Sequence, residues 1–190
     1  MLFRSVPLDP RQEQQLISAG DNLLHYHLAD RGPFPIPHGS FYDTTAQAIS
    51  STTTAYAMTY NTTVESYEVW VGATPSMVYV GASGVYNIQF SCQLANTDSQ
   101  AHDAEIWLAI NGSNITESST IIGIPSSHGG VDGHSVAAWN FLQRLNRNDY
   151  FQLVWRADST QVSMPHRAAT TSPTRPSVPS VILTVNLVSI

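Results

Sequence analysis

Lysine is absent from this sequence, and charge of either sign is scarce. All eight basic residues are arginines, and charged residues make up 12% of the 190 positions, about half of the roughly 25% found in a typical soluble domain. Much of the surface must therefore consist of uncharged Ser, Thr, Asn and Gln, and a surface of this kind is often covered by a neighbouring subunit. The composition favours an oligomer.

Three further absences exclude classes of partner and site. The net charge is −6, the pI is near 5.5 and no basic cluster occurs, so no nucleic-acid partner is expected. No apolar run approaches the roughly 20 residues of a membrane helix, and the N-terminus lacks a basic-then-apolar signal pattern. We expect no membrane insertion, and synthesis and folding in the cytoplasm. The single Cys92 excludes an internal disulfide and is interpreted as a buried thiol.

The clearest pattern in the chain is a strict two-residue alternation between Gly84 and Ala95. Such alternation predicts a strand with one face in a core and the other in a wetter environment. The apolar positions of this predicted strand are Tyr86, Ile88, Phe90, Cys92 and Leu94.

A second alternating segment runs from Asp103 to Ile110 and stops at Asn111-Gly112. Asn-Gly between alternating segments is the strongest short-range hairpin signal. The chain is predicted to turn there and to return through residues 115–124. Consecutive antiparallel strands place the protein among β-sandwiches or β-barrels.

Two more segments complete the fold prediction. Residues 149–156 alternate, with Phe151, Leu153 and Trp155 on one face, whereas residues 180–190 are apolar on both faces. A strand of the latter kind should be central in its sheet or lie at a subunit interface, because a long exposed apolar edge invites aggregation. The pattern predicts an all-β fold, an antiparallel double-sheet jelly roll.

The first 38 residues are predicted to form a separate arm of short helix and extended chain. Asp9-Pro10 with Gln12 resembles a helix start, and Gly20 can end the helix. The apolar content is too thin for a stable isolated helix. Three prolines within residues 33–37 then enforce an extended linker. We predict a boundary near His38, with the arm at residues 1–38 and the domain at residues 39–190.

Several motifs in the domain carry a resemblance to a known family. They are Phe41-Tyr-Asp-Thr-Thr, Ala55-Tyr-Ala-Met-Thr-Tyr-Asn-Thr-Thr, Gly84-Val-Tyr-Asn-Ile-Gln-Phe-Ser, Ile106-Trp-Leu-Ala-Ile-Asn-Gly, Ala138-Trp-Asn-Phe, Asp149-Tyr-Phe-Gln-Leu-Val-Trp and Pro179-Ser-Val-Ile-Leu-Thr-Val. Together they resemble a C-terminal module of tailed-bacteriophage virion proteins, which is similar to the tumour-necrosis-factor-like jelly roll that forms trimers. A short motif found in phage tail and appendage proteins is similar to residues 24–31, Leu-His-Tyr-His-Leu-Ala-Asp-Arg.

The resemblance implies a homotrimeric structural protein on the virion surface. No heptads or repeats separate the arm from the domain, which favours a capsid decoration (cement) protein bound to the major capsid protein over a long fibre. The alternative is a short tail-fibre or spike module, joined to a tail protein, that binds a host surface receptor or glycan through the loops at residues 72–76, 126–133 and 167–176. The residues expected to attach the arm to the virion are Leu16, Ile17, Leu23, Leu24, His25, Tyr26 and His27.

Aromatic and aliphatic side chains in the predicted strands are expected to fill the trimer interface or the core. These residues are Tyr86, Phe90, Trp107, Trp139, Phe151, Trp155 and Val185. For Trp107 and Trp139 a second interpretation is a stacking surface for a sugar ring.

Candidate metal ligands occur in two places, and in both a structural interpretation is preferred. His25 and His27, with Asp30 nearby, share one face of an extended segment, but no third ligand follows at a telling spacing. His128 and His134 flank a glycine-rich loop of the kind that most often forms a turn. We predict no metal and no cofactor.

Catalytic patterns are equally weak. Ser135 lacks the Gly-x-Ser-x-Gly elbow of a hydrolase. Asp103 and Glu105 lie two apart on one strand face and do not predict a pair of carboxylates across a cleft. The sequence therefore predicts a protein without enzymatic activity.

Overall fold

A computed structural model describes residues 35–190, which form strands and connecting loops without any helix. The strands are β1 (His38–Asp43), β2 (Gln47–Ala48), β3 (Tyr56–Ala57), β4 (Thr62–Tyr67), β5 (Val69–Val71), β6 (Val78–Val80), β7 (Gly84–Asn96), β8 (His102–Ile110), β9 (Ser113–Asn114), β10 (Thr120–Ile124), β11 (Gly133–Leu145), β12 (Tyr150–Ala157), β13 (Val162–Met164), β14 (Thr170–Thr171), β15 (Thr174–Arg175) and β16 (Val181–Ser189). Residues 35–190 contain no helix that could cross a membrane.

The strands form two antiparallel sheets that pack face to face. Sheet A has the order β11–β7–β16–β1–β4, and β13 and β2 continue beside the end of β7. Sheet B has the order β10–β8–β12–β6–β5, with β9 beside β8 and β3 beside β12. The sequence prediction of an all-β fold with antiparallel sheets is confirmed, and the arrangement is that of a β-sandwich.

The local strand predictions hold where alternation is strict. In β7 the five predicted apolar positions are all buried, and in β12 so are Phe151, Leu153 and Trp155. The predicted hairpin after β8 is confirmed, because Asn111 and Gly112 have φ values of 50° and 80° and Ile110 pairs with Ser113. Both φ values lie in the left-handed region that this turn requires.

The final strand has the central position predicted for it. β16 pairs with β7 on one side and with β1 on the other. Val181, Leu183 and Val185 point into the core, whereas Ile182 on the opposite face is 41% exposed. The outer face is open and alternates aliphatic Ile182 with polar Thr184 and Asn186, so only one of the two predicted apolar faces is found.

The core lies between the sheets and contains most of the large side chains predicted for it. Tyr86, Phe90, Phe151, Trp155 and Val185 are buried there. Burial raises the pKa of the Cys92 thiol to about 12, so this cysteine stays protonated and unreactive at neutral pH. Its interpretation as a buried thiol is confirmed.

Aromatic packing connects β11 to the core. The Trp139 ring contacts Phe90 edge to face, with the centroids 4.6 Å apart, and Phe141 stacks on the same ring at 6.3 Å. Edge-to-face and offset pairs of this kind contribute about 0.5–1.5 kcal/mol beyond the area they bury. Trp139 is half-buried and belongs to the margin of the core.

A buried carboxylate connects the first strand to three loops. Asp43 is 2% exposed, and its oxygens accept hydrogen bonds from the Thr45 backbone N–H (2.7 Å), the Thr59 hydroxyl (2.9 Å) and the Asn61 amide (3.1 Å). The Asp43 carbonyl also accepts a bond from the Ser180 N–H (3.0 Å). These neutral donors compensate for the loss of water around the charge.

One tyrosine in the core has an uncompensated hydroxyl. The Tyr60 side chain is fully buried and its hydroxyl has no hydrogen-bond partner among residues 35–190, whereas the Tyr86 hydroxyl donates to the Ala82 carbonyl at 2.8 Å. Burial raises the pKa of both phenols. The two side chains therefore differ in whether a buried polar atom is satisfied.

Replacing each of these tyrosines by phenylalanine should change stability in opposite directions. Tyr60→Phe removes an unsatisfied buried hydroxyl and should raise the free energy of unfolding by about 1 kcal/mol. Tyr86→Phe leaves the Ala82 carbonyl without its donor and should lower it by about 1 kcal/mol. Urea denaturation of both variants beside the unsubstituted chain measures the difference, and equal losses in the two variants would contradict the account.

The arm predictions fall outside the described residues. The predicted helix at residues 10–19 and the attachment residues Leu16, Ile17, Leu23, Leu24, His25, Tyr26 and His27 all precede residue 35. They stay predictions, as does the domain boundary near residue 38.

Candidate interaction surfaces

The centre of the outer face of sheet A, between Glu65 on β4 and Arg144 on β11, carries no Asp, Glu, Lys or Arg side chain. Residues that pair directly across antiparallel strands point to the same side of a sheet, and the register of β1, β16, β7 and β11 therefore arranges the outward side chains in rows. One row is Tyr42, Ile182, Ser91 and Ala138, the next is Ser40, Thr184, Gln89 and Asn140, and the third is His38, Asn186, Asn87 and Leu142. We call these twelve residues face A.

Face A combines uncharged polar groups with exposed aliphatic side chains. None of its members is an acid, a lysine or an arginine, and Leu142 and Ile182 are 65% and 41% exposed. A depression of about 230 Å³ at its centre is lined by Gln89, Ser91, Ala138, Ile182 and Thr184, together with Phe90. Such a face can be buried against another surface without desolvating a charge.

The edge of sheet A next to this face is also open. Strand β11 has 13 residues and, within residues 35–190, forms a ladder with β7 alone. Val136, on the same side of β11 as Leu142, is 60% exposed. A long edge strand without lysine to protect it readily pairs or packs with another chain.

The outer face of sheet B contains a groove around Trp107. Its volume is about 430 Å³, and Glu105, Trp107, Asn114, Ile115, Glu117 and Ser119 line it. We call it the Trp107 groove. The indole N–H donates to the Asn114 side-chain oxygen at 2.8 Å, and the Glu105 carboxylate pairs with the Arg156 guanidinium.

Trp107 is consequently the member of the predicted core or interface set that lies outside the core. It occupies β8 out of phase with the buried Ala104, Ile106 and Leu108, and its side chain is half-buried on the outer face. The sugar-stacking interpretation therefore remains a prediction for Trp107, whereas Trp139 packs against the core.

Aromatic rings also extend over the other half of sheet B. Trp70 stacks on Tyr79 with the ring centroids 5.8 Å apart, and Tyr79 contacts Tyr150 at 5.4 Å. This row of aromatic rings depends on pairing between β5, β6 and β12, which no local sequence pattern predicts. Trp70 is 41% exposed.

Two arginines and a histidine meet in a pocket of about 330 Å³ near the start of β11. Arg167 lies 2.6 Å from the Nε2 atom of His134, and the Arg175 guanidinium donates to the carbonyls of Pro176 (2.8 Å) and Ala168 (3.0 Å). Gln93, Leu94, Pro165 and Val178 complete the lining. The neighbour of His134 is thus a guanidinium, which is a poor companion for a metal ion.

No metal-binding constellation is present in the described part of the chain, where no three His, Cys, Asp or Glu side chains are placed to hold an ion. His128 takes part in a short bridge with Val131 around Gly129 and Gly130. His25, His27 and Asp30 lie outside the described residues. Asp103 and Glu105 do not face one another across a cleft, since they lie on one strand and Glu105 is paired with Arg156.

His102 is held between two carboxylates. Its Nε2 atom lies 2.9 Å from Asp98 Oδ2 and its Nδ1 atom lies 3.0 Å from Asp158 Oδ1. The hydrogen bond with Asp98, followed by the charges of Asp158 and Asp98, raises the pKa of His102 above its ordinary value. The same hydrogen bond lowers the pKa of Asp98. The cluster joins the loop before β8 to the end of β12.

This cluster should make the stability of the protein depend on pH. His102 has a raised pKa in the folded state. Its contribution to the free energy of unfolding is therefore complete below the ordinary histidine pKa of 6.5 and is lost as the pH rises through the folded-state pKa. Asp98 has a lowered pKa in the folded state. Its contribution to the free energy of unfolding is therefore complete above the ordinary aspartate pKa of 3.8 and is lost as the pH falls through the folded-state pKa. Both contributions are complete between these two values.

Urea denaturation of the unsubstituted chain and of His102→Gln from pH 5 to pH 9 measures this effect. We expect the difference in unfolding free energy between the two chains to be largest near pH 5 to 6 and to shrink as the pH rises. Contributions that are the same in both chains cancel in the difference. A difference that stays constant over this range would contradict the assignment.

No protein-family model matches this chain, and none of the curated proteins searched has a matching sequence.

Proposed function

We propose that this chain is a structural protein of a tailed-phage virion, a homotrimeric capsid decoration protein attached to the major capsid protein through residues 1–38. The observation that carries the proposal is face A, a patch of twelve residues that contains no Asp, Glu, Lys or Arg and is partly aliphatic. In a protein with a net charge of −6, a face without charged groups is the surface best suited to contact another copy.

The strand order supports a jelly roll similar to that of tumour necrosis factor. Eight principal strands, β1, β6, β7, β8, β10, β11, β12 and β16, divide between the sheets in the orders β1–β16–β7–β11 and β6–β12–β8–β10. Numbered along the chain, these orders are first–eighth–third–sixth and second–seventh–fourth–fifth. A jelly roll has eight strands in two sheets built from two Greek keys, and this alternation between sheets agrees with that description.

Trimer formation through face A explains the unusual composition. A stable interface buries about 800 Å² on each partner, and its centre is depleted of charged residues. Face A spans four strands, and Ile182, on one of its two inner strands, lines its depression. Contact there removes the exposed aliphatic side chains from water and leaves the amides and hydroxyls to form hydrogen bonds between copies.

The mass of the full chain in solution tests the trimer. Sedimentation at micromolar concentration should give a species of three times the 20.7-kDa chain mass. A monomer at this concentration would remove the trimer from the proposal. A dimer would contradict the number of copies implied by the resemblance while leaving self-association intact.

Deletion of the gene from the phage tests the position on the particle. A cement protein joins capsid subunits and stabilises the shell against internal pressure, so particles without it should lose genome on heating or dilution of salt while adsorption stays normal. Loss of adsorption with intact heads would instead favour the tail-fibre or spike function.

A further inference from the structure

We propose that the Trp107 groove binds a neutral saccharide. The site combines an aromatic ring with carboxylate, amide and hydroxyl groups in an open depression of about 430 Å³. An aromatic surface with a few polar groups beside it is a common composition of ligand sites. The inference is independent of the proposed position on a virion.

The indole ring of Trp107 is fixed in orientation. Its N–H donates to Asn114, and Asn114 belongs to the short strand that follows the Asn111-Gly112 turn and pairs with Ala109. Since the polar edge of the ring is occupied, the groove is left with the apolar faces of the indole. A ring held in one orientation loses little conformational entropy when a sugar ring stacks on it.

The loop on one side of the groove is also held in place. The Ser118 hydroxyl donates to the Ile115 carbonyl (2.7 Å) and accepts from the Leu108 backbone N–H (3.1 Å), which anchors the loop that carries Glu117 and Ser119. Glu117 has a left-handed backbone with φ of 60°, a conformation that costs a non-glycine residue free energy. The loop therefore presents its carboxylate and hydroxyl side chains from a defined backbone.

Charge decides which saccharides fit. The groove contains two carboxylates, Glu105 and Glu117, and one of them is paired with Arg156. Carboxylate oxygens accept hydrogen bonds from sugar hydroxyls, but they repel the carboxylate, sulfate or phosphate of an acidic sugar. A neutral hexose or N-acetylhexosamine is the class of ligand that satisfies both the ring and the acceptors.

The groove stays accessible when face A is covered. Trp107 points outward from sheet B, and face A is the outer surface of sheet A on the opposite side of the sandwich. Self-association through face A consequently leaves one open groove on each copy. Several weak sites on one oligomer would bind a multivalent surface far more tightly than a single site does.

The test uses the full chain on an array of immobilised oligosaccharides. The neutral probes contain glucose, galactose, mannose or N-acetylglucosamine, and the acidic probes contain sialic acid or glucuronic acid. We expect binding to neutral probes, and Trp107→Ala should weaken it by about tenfold or more, as the truncation of a central aromatic contact does. Trp70→Ala is the matched control, because Trp70 is an exposed indole of sheet B outside the groove, and it should bind normally.

A measurement on the unsubstituted chain covers the case in which Trp107→Ala fails to fold. Hydroxyl-radical footprinting with and without the bound oligosaccharide should show Trp107 protected and Trp70 labelled equally in both samples. The proposal is overturned if no neutral probe binds, if acidic probes bind more tightly, if both tryptophan variants lose binding equally, or if the saccharide leaves Trp107 unprotected.

Discussion

Ile182→Glu is expected to convert the proposed trimer into monomers without unfolding the domain. Ile182 lies on the central strand β16, is 41% exposed and lines the depression in face A. Its replacement by glutamate would bury an uncompensated carboxylate in each copy. The cost of such burial is several kcal/mol, and about 4 kcal/mol weakens an association roughly 1,000-fold. Sedimentation at several concentrations measures the change.

Ile121→Glu is the matched control for this experiment. Ile121 is also an exposed isoleucine on a strand, but it lies opposite Glu105 on the outer face of sheet B. The same chemical change there should leave the trimer intact. If both variants dissociate, or if neither does, face A is not the surface that holds the copies together.

Asp43→Ala should be among the most destabilising single substitutions, with a loss of about 3 kcal/mol in the free energy of unfolding. The substitution removes the acceptor shared by the Thr45 N–H, the Thr59 hydroxyl and the Asn61 amide. These donors are then left in a site where Asp43 itself is 2% exposed. Buried hydrogen bonds to a charged group contribute about 1.5–3 kcal/mol, and orphaned donors add their own desolvation cost.

Asp43→Asn separates the loss of hydrogen bonds from the loss of charge. The amide keeps the shape and one oxygen acceptor, and its NH₂ group can donate to the Thr59 hydroxyl. In chemical denaturation, Asp43→Asn should therefore lose clearly less unfolding free energy than Asp43→Ala. An alanine variant that loses less than the asparagine variant would contradict the interpretation of Asp43 as the acceptor that organises these loops.

The strands that sequence reasoning predicted best are those whose pattern is local. Alternation in β7 and the Asn111-Gly112 turn depend on neighbouring residues alone. The central position of β16 was one of the two positions expected from its apolar sequence. In each case a physical rule links the residues to the structure within about ten positions.

The polar clusters escaped prediction because their members are far apart in the sequence. Asp43 accepts from Thr59 and Asn61, which lie 16 and 18 residues away, and it contacts Ser180 from the other end of the chain. His102 similarly meets Asp158 only because β8 and β12 are paired. Composition and periodicity contain no information about such encounters.

The outward position of Trp107 could be predicted from the sequence. Within the alternation of residues 103–110 it is out of phase with Ala104, Ile106 and Leu108, so it had to leave the core on which those residues pack. Its assignment to the core is therefore not met, whereas a place at an interface stays a prediction. The groove around it depends on the loop after β9, which no periodicity describes.

Localisation on the particle tests the central claim most directly. Intact virions are labelled with an antibody against residues 39–190 and imaged by electron microscopy. The proposed capsid decoration protein predicts label distributed over the head. Label confined to the tail would contradict it and would assign the domain to the tail-fibre or spike function.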